Sequence, residues 1–206
     1  MLALILFVIL ILSCLILNEI LSRKFSIPSS FSRKMAHIIS SLIVFAFPFF
    51  LNRDEIIIIA AIFAVLLFVT RRKNIFSSIH SVERKTFGEV FLPLGVILCA
   101  TFFVPKNILA FQFGILIMGI SDALASLFGE RFGKHIIKVF GHKKSIEGSL
   151  AFFISSVIIV LFFTQRLGYQ IVLIPLILTL IEFFSVLGLD NLILPIAGAF
   201  LFQLLL

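Results

Sequence analysis

The chain has 206 residues, of which 61% are hydrophobic and 13% charged, and its mean hydropathy is +1.25. Soluble globular chains carry about 25% charged residues, so this composition excludes an ordinary water-soluble domain and predicts an integral membrane protein. A net charge of +7 would suggest nucleic-acid binding in a soluble protein. In a membrane protein it indicates loops of unequal charge, and we expect no nucleic-acid partner.

Long apolar runs separated by short charged breaks predict an all-α, polytopic bundle of seven or eight transmembrane helices in a single domain, residues 1–206. A helix needs about 20 residues to cross a bilayer, and the third and eighth runs fall short of that length. The predicted spans in chain order are Met1–Leu21, Met35–Leu51, Ile56–Thr70, Phe87–Val104, Asn107–Phe128, Gly148–Phe163, Tyr169–Leu187 and Leu192–Leu206.

Basic residues are concentrated in alternate loops. The three loops 22–34, 71–86 and 129–147 hold 14 of the 17 lysines and arginines. Because short basic loops remain in the cytoplasm, this pattern predicts that the N-terminus lies outside and that these three loops are cytoplasmic.

Five ionisable residues interrupt the apolar runs, and all five fall in the predicted cytoplasmic third of the membrane: Glu19, His37, Glu89, Asp122 and Glu182. Ionisable groups in hydrocarbon are costly and usually face a cavity or a partner. For Glu19 and Glu89, near helix ends, pairing with a loop lysine or arginine is an equally good explanation. The deeper positions of Asp122 and Glu182 favour function.

The segment 119–153 carries the densest set of polar groups. An acid, Asp122, is followed by a predicted break at Gly129, a turn at Gly133 and Lys134, and a Lys-Lys-Ser-x-Glu-Gly run from Lys143. Glycine turns, lysines and a helix N-terminus are suited to phosphate, and a nearby carboxylate is suited to its magnesium ion. The spacing does not fit a P-loop. A basic turn that only binds lipid headgroups remains the alternative from composition alone.

Four motifs in register give the chain a family resemblance. They are RKMAH at Arg33–His37, ERKTFGEVFLPLG at Glu83–Gly95, the segment Asp122–Ser149, and IEFFSVLGLDNLILP at Ile181–Pro195. With them the chain resembles the membrane CTP-dependent lipid kinases, namely dolichol and polyprenol kinase, phytol and farnesol kinase and CTP-dependent diacylglycerol kinase. These are similar in turn to phosphatidate cytidylyltransferases. The segment 119–153 would then bind the nucleotide.

The resemblance implies transfer of the terminal phosphate of CTP to the hydroxyl of a membrane lipid alcohol, most consistent with a polyisoprenoid, giving a lipid monophosphate and CDP. A CDP-lipid synthase acting on phosphatidate is the alternative enzyme, and a small transporter is the alternative from another class. CTP, the lipid alcohol and the bilayer are the expected partners, and a homodimer is compatible with the sequence. The sequence does not select one alcohol.

We assign roles to the polar residues as hypotheses. The catalytic candidates are Asp122, Lys143, Lys144 and His37, the last as general base or as a structural histidine. The candidates for binding magnesium are Asp122, Asp190 and Glu147. The candidates for binding the nucleotide are Arg33, Lys34, Gly129, Gly133, Lys134, Ser145, Glu147, Gly148 and Asn191, with Glu182 in a supporting position.

Overall fold

A computed structural model describes residues 2–72, 87–164 and 168–206. The predicted all-α architecture is confirmed, with one small hairpin added. The elements in chain order are α1 (Leu2–Lys24), α2 (Ser29–Ala46), a 3-10 turn (Phe47–Phe49), α3 (Arg53–Arg72), α4 (Gly88–Phe103), α5 (Ile108–Leu116), a π-helical segment (Ile117–Ser121), α6 (Asp122–Phe132), β1 (Ile136–Val139), β2 (His142–Ser145), α7 (Ile146–Phe163), α8 (Gln170–Phe184) and α9 (Asp190–Leu205).

Each predicted apolar run coincides with a helix, although several helices extend into the predicted loops. Arg33 and Lys34 lie inside α2, and Arg71 lies inside α3. The predicted break at Gly129 is wrong, because α6 continues to Phe132. A span predicted from hydropathy ends at the first charged residue. The helix itself can continue, because long basic side chains reach the polar interface.

Three of the described helices are long and apolar enough to cross a membrane: Leu2–Lys24, the continuous Ile108–Phe132 and Ile146–Phe163. Shorter apolar helices occur at Gly88–Phe103, Gln170–Phe184 and Asp190–Leu205. The number of spans and their orientation stay predictions.

The continuous helix Ile108–Phe132 forms the centre of the bundle. Phe111, Phe113, Ile117 and Met118 are completely buried, and α2, α4, α7 and α9 pack around this helix. α1 lies at the edge and packs mainly along α2. The chain therefore builds its core around the first part of this helix, Ile108–Leu116, which is almost entirely apolar and buried, as expected of a core helix.

The outside of the bundle is strongly apolar. Val65 is 65% exposed and Phe162 is 75% exposed. The other described α-helices also expose large hydrophobic side chains. An apolar surface of this extent requires a lipid environment.

A two-stranded antiparallel hairpin joins α6 to α7, in a segment that we predicted as a loop. Its register pairs Ile136 with Ser145 and Val139 with His142. The turn residues Phe140 and Gly141 both have positive φ, as type I′ hairpin turns require.

Part of the sequence interpretation lies outside the described residues. This applies to Lys73, Arg84, Lys85 and Arg166, which entered the count of basic loops, and to the first four residues of the second motif, 83–86.

Candidate active site

A cavity of about 380 Å³ opens at the end of the bundle where the charged residues gather. Residues of every described α-helix except α5, and of the hairpin, line it, although they are widely separated in sequence. Of the predicted site residues, those that line it are Arg33, Lys34, His37, Asp122, Gly129, Lys143, Lys144, Ser145, Gly148, Asp190 and Asn191.

An ion pair joins α2 to α6 at the cavity wall. The Nζ of Lys34 donates to Oδ2 of Asp122 at 2.9 Å, and the two side chains are only 13% and 6% exposed. Asp122 directly follows the π-helical segment Ile117–Ser121. Single π-helical turns inside α-helices often occur at functional sites, because they displace the residues that follow from the regular helical face.

His37 lies one turn beyond Lys34 and is buried against the same π-helical segment. Its Nε2 lies 3.0 Å from the carbonyl oxygen of Met118. A carbonyl can only accept a hydrogen bond, so Nε2 carries the proton and donates it. In the neutral ring the free lone pair is then on Nδ1. His37, which lines the cavity, is therefore the tautomer protonated at Nε2.

Lys144 on β2 reaches across the cavity to α8. Its Nζ pairs with Oε1 of Glu182 and also donates to the backbone carbonyl of Glu182 at 2.9 Å. Successive residues of a strand point to opposite faces. Lys144 therefore turns inward, whereas Lys143 remains exposed at the rim of the cavity.

Asp190 and Asn191 begin α9 after a sharp turn. Gly188 adopts a φ of +89°, which residues other than glycine rarely adopt. Asn191 Nδ2 donates to the carbonyl of Gly88 at 2.8 Å and so fixes the start of α9 against the start of α4. This places Asp190 within electrostatic range of Asp122, Lys34 and Lys144.

The predicted glycines hold the helices together rather than presenting free amides. The amide of Gly148 donates to Ser145 Oγ at 3.1 Å, which caps α7, and the amide of Gly133 donates to the carbonyl of Gly129 at 3.2 Å. A Cβ on Gly148 would lie 2.7 Å from the carbonyl oxygen of Ala125. Gly129 and Gly148 therefore let α6 and α7 pack closely beside the cavity.

Three predicted residues lie outside the cavity: Gly133, Lys134 and Glu147. The Glu147 carboxylate contacts His135, with Oε1 2.7 Å from Nδ1. Glu147 therefore lies in the first turn of α7 and pairs with His135, and it does not line the cavity that Asp122 and Asp190 line.

Sequence reasoning missed several cavity residues that carry no strong pattern, including Ser40, Ser126 and Ser185. A lone serine in a helix gives no sequence signal, so only the fold identifies these serines.

The sequence predicted that Glu89 lies at the cytoplasmic end of α4 and left its role open. The structure pairs Glu89 with Arg71 of α3 at the cavity wall.

The donor set suits a hard divalent cation. Asp122 and Asp190 line the same cavity. Oε2 of Glu182 and Oδ1 of Asn191, which also line it, are buried without a hydrogen-bond partner among the described residues. No ready-made cluster of three His, Cys, Asp or Glu ligands occurs within the described ranges. Mg²⁺ does not need one, because it is usually held by one or two carboxylates, water and the phosphates of a substrate.

Comparison with known proteins gives this arrangement a context. The model of the Cytidylyltransferase family matches residues 1–190. A phytol kinase of Synechocystis sp. is 31% identical over 190 residues, which cover 88% of this chain and 82% of that protein. An uncharacterised protein of Methanocaldococcus jannaschii is 38% identical over 116 residues, or 55% of this chain and 56% of the relative. No solved structure matches the chain.

Proposed function

Because this chain belongs to the Cytidylyltransferase family, we propose that it is a CTP-dependent lipid kinase whose acceptor is a membrane alcohol of the polyisoprenoid class. It transfers the terminal phosphate of CTP to the alcohol and releases a lipid monophosphate and CDP. Its similarity to a phytol kinase over most of both chains supports the acceptor class.

The observation that carries this proposal is the composition of this cavity. Its mouth holds Lys34, Asp122, Lys144 and Asp190, and its interior is lined by apolar side chains such as Phe63. A kinase for a lipid alcohol needs this combination, because a highly charged triphosphate and a hydrocarbon chain must meet at one hydroxyl group. A purely polar pocket would bind the nucleotide without the lipid.

Phosphoryl transfer depends mainly on positioning and on neutralising charge. Lys34, Lys143, Lys144 and Arg33 bind the phosphate oxygens in this proposal. The alcohol oxygen forms a bond to the γ-phosphorus, and the bond from the γ-phosphorus to the bridging oxygen breaks, so CDP leaves. The hydroxyl proton passes to Nδ1 of His37.

Asp122 and Asp190 are the residues that would hold Mg²⁺, with the unpaired side-chain oxygens of Asn191 and Glu182 beside them. The ion would neutralise charge on the phosphates of the nucleotide. Since Lys34 and Lys144 pair with Asp122 and Glu182, the lysines can exchange these partners for phosphate oxygens when the nucleotide binds.

We place this end of the bundle on the cytoplasmic side. The segments predicted as cytoplasmic, 22–34, 71–86 and 129–147, carry most of the basic residues. Among their described residues, Arg33, Lys34, Lys143 and Lys144 line the cavity at this end. CTP is available there, and the hydroxyl of a lipid alcohol lies at the headgroup level of the same leaflet.

A CDP-lipid synthase is the second candidate, and the description of the matching family favours it. That reaction would transfer the cytidylyl group to phosphatidate and release pyrophosphate. Against it, the fourth motif reads LGLDNLILP from Leu187, as in the kinases that the chain resembles, where the cytidylyltransferases carry a longer charged stretch.

One assay decides between these reactions. Purified protein in detergent receives Mg²⁺ and CTP labelled at either the γ- or the α-phosphate, with phytol, dolichol, diacylglycerol or phosphatidate. A kinase transfers only the γ-label to an alcohol and forms CDP. Transfer of the α-label to phosphatidate with release of pyrophosphate would select the synthase, and no transfer to any acceptor would overturn both.

A further inference from the structure

Below its charged mouth, the cavity continues as an apolar compartment between α1, α2, α3 and α4. Ile11, Val44, Phe47, Ala60 and Val96 line it, and each is shielded from the outside of the bundle. Protein interiors normally pack without voids larger than a water molecule. Buried aliphatic side chains that line open space therefore indicate a site for an apolar ligand.

The compartment has a closed end. Phe47 is 1% exposed, and the ring of Phe7 packs edge-on against it with centroids 4.9 Å apart. Phe47 lies ten residues beyond His37 and thirteen beyond Lys34 along α2 and the 3-10 turn. At 1.5 Å per residue this corresponds to a depth of roughly 15–20 Å, which an extended chain of about 12–16 carbons fills.

The width of the compartment is also limited. The whole cavity of about 380 Å³ is at the lower end of the ~300–1,000 Å³ typical of ligand sites. Room for one hydrocarbon chain remains once the mouth holds phosphate groups. This space suits one hydrocarbon chain better than the two acyl chains of a diacylglycerol.

We infer that this compartment binds the tail of the acceptor and limits it to a single chain of diterpenoid length, with Phe47 as its floor and Ala60 in its wall. The inference rests on the proposed function and narrows its acceptor class. It predicts that phytol is a good acceptor, that diacylglycerol is a poor one, and that dolichol is a poor one because its tail exceeds the depth.

Ala60 allows a matched test, because its neighbour Ala61 lies on the exposed face of the same helix. Ala60→Leu adds three carbons inside the compartment, and Ala61→Leu adds the same three carbons toward lipid. We expect Ala60→Leu to lower the ratio of kcat/KM for phytol to kcat/KM for geraniol, a much shorter alcohol, by about tenfold or more. Ala61→Leu should keep the wild-type ratio.

Phe47→Ala supplies an independent variant with the opposite effect. Opening the floor should raise the ratio of dolichol to phytol use. Two results would overturn the inference. The first is that Ala60→Leu keeps the wild-type ratio of phytol to geraniol use and Phe47→Ala keeps the wild-type ratio of dolichol to phytol use. The second is that the wild type uses dolichol and phytol equally well.

A binding measurement separates the inference from the proposed function. Hexadecanol carrying a diazirine at its tail end should label Phe47 or its neighbours on illumination, and Ala60→Leu should reduce this labelling while Ala61→Leu should not. If no alcohol is phosphorylated but this labelling occurs, the kinase proposal fails and the tail site stands. Labelling confined to the lipid-exposed surface would reject the tail site even if the protein is a kinase.

Discussion

The Lys34 ammonium and the Asp122 carboxylate meet at 2.9 Å, although 88 positions separate the two residues in sequence. The pair connects two of the four motifs, on α2 and α6. A buried cation next to a buried carboxylate neutralises charge in the apolar bundle while no substrate phosphate is bound. The same two groups are therefore available to the nucleotide and to its metal ion.

Asp122→Asn should abolish phosphoryl transfer, lowering kcat by at least about a hundredfold, because it removes a ligand of the Mg²⁺ that would neutralise charge on the phosphates. Asp54→Asn makes the same chemical change at the opposite end of the bundle, where the Asp54 side chain is 71% exposed, and should leave kcat near the wild-type value. Transfer of labelled phosphate to phytol measures both. An active Asp122→Asn protein would remove Asp122 from the metal site.

Lys34→Met should destabilise the protein, because it leaves the Asp122 carboxylate buried without its counter-ion. Removing one partner of a buried ion pair costs about 3–5 kcal/mol. The double variant Lys34→Met with Asp122→Asn should regain part of this loss, since it removes the unpaired charge. Thermal unfolding in one detergent compares the wild type, the two single variants and the double variant, and additive effects of the two changes would show that the pair is not coupled.

Lys144→Met should weaken use of CTP. A hydrogen bond to a charged group contributes about 1.5–3 kcal/mol, so kcat/KM for CTP should fall by roughly 10- to 100-fold. Lys138 is exposed on β1 of the same hairpin, and Lys138→Met should change this value by less than about twofold, because an exposed charge contributes little. Equal effects of the two variants would indicate that only the overall basic charge of the hairpin matters.

Hydropathy located the helices, because the pattern of apolar runs depends on local sequence and on the thickness of a bilayer. The four motifs predicted the family, and the match over residues 1–190 confirms it. Counting charges loop by loop also predicted that Asp122, Lys144 and Asp190 lie on the same side of the bundle, and all three line the cavity.

The partners of these residues could not be predicted in the same way. That Lys144 pairs with Glu182, and Lys34 with Asp122, depends on which helices pack side by side. The π-helical segment before Asp122 and the hairpin that carries Lys144 arise from tertiary packing and from a two-residue turn, and neither changes the hydropathy pattern. The depth of the apolar compartment is likewise a property of four helices together.

Gly148→Ala should lower stability. A Cβ at this position would lie 2.7 Å from the carbonyl oxygen of Ala125, so α6 and α7 would have to separate. Overpacking of this kind costs about 1–3 kcal/mol. A reduced unfolding temperature in detergent is the expected result. A wild-type unfolding temperature together with weaker CTP binding would instead assign Gly148 to the phosphate site.

His37→Gln separates a catalytic histidine from a structural one. The glutamine amide can still donate to the carbonyl of Met118, which accepts a hydrogen bond from Nε2 in the wild type, but an amide cannot take up the proton of the alcohol. If His37 is the general base, kcat should fall by about 10²- to 10⁴-fold with little change in unfolding temperature, because that is the usual contribution of general base catalysis. The wild type should also lose activity at acidic pH, because protonation of His37 removes the base, and this loss should be absent from the pH profile of the variant. A variant that keeps both its kcat and its acid limb would leave His37 with a structural role only, and the proton of the hydroxyl would then have to pass to another group at the mouth of the cavity.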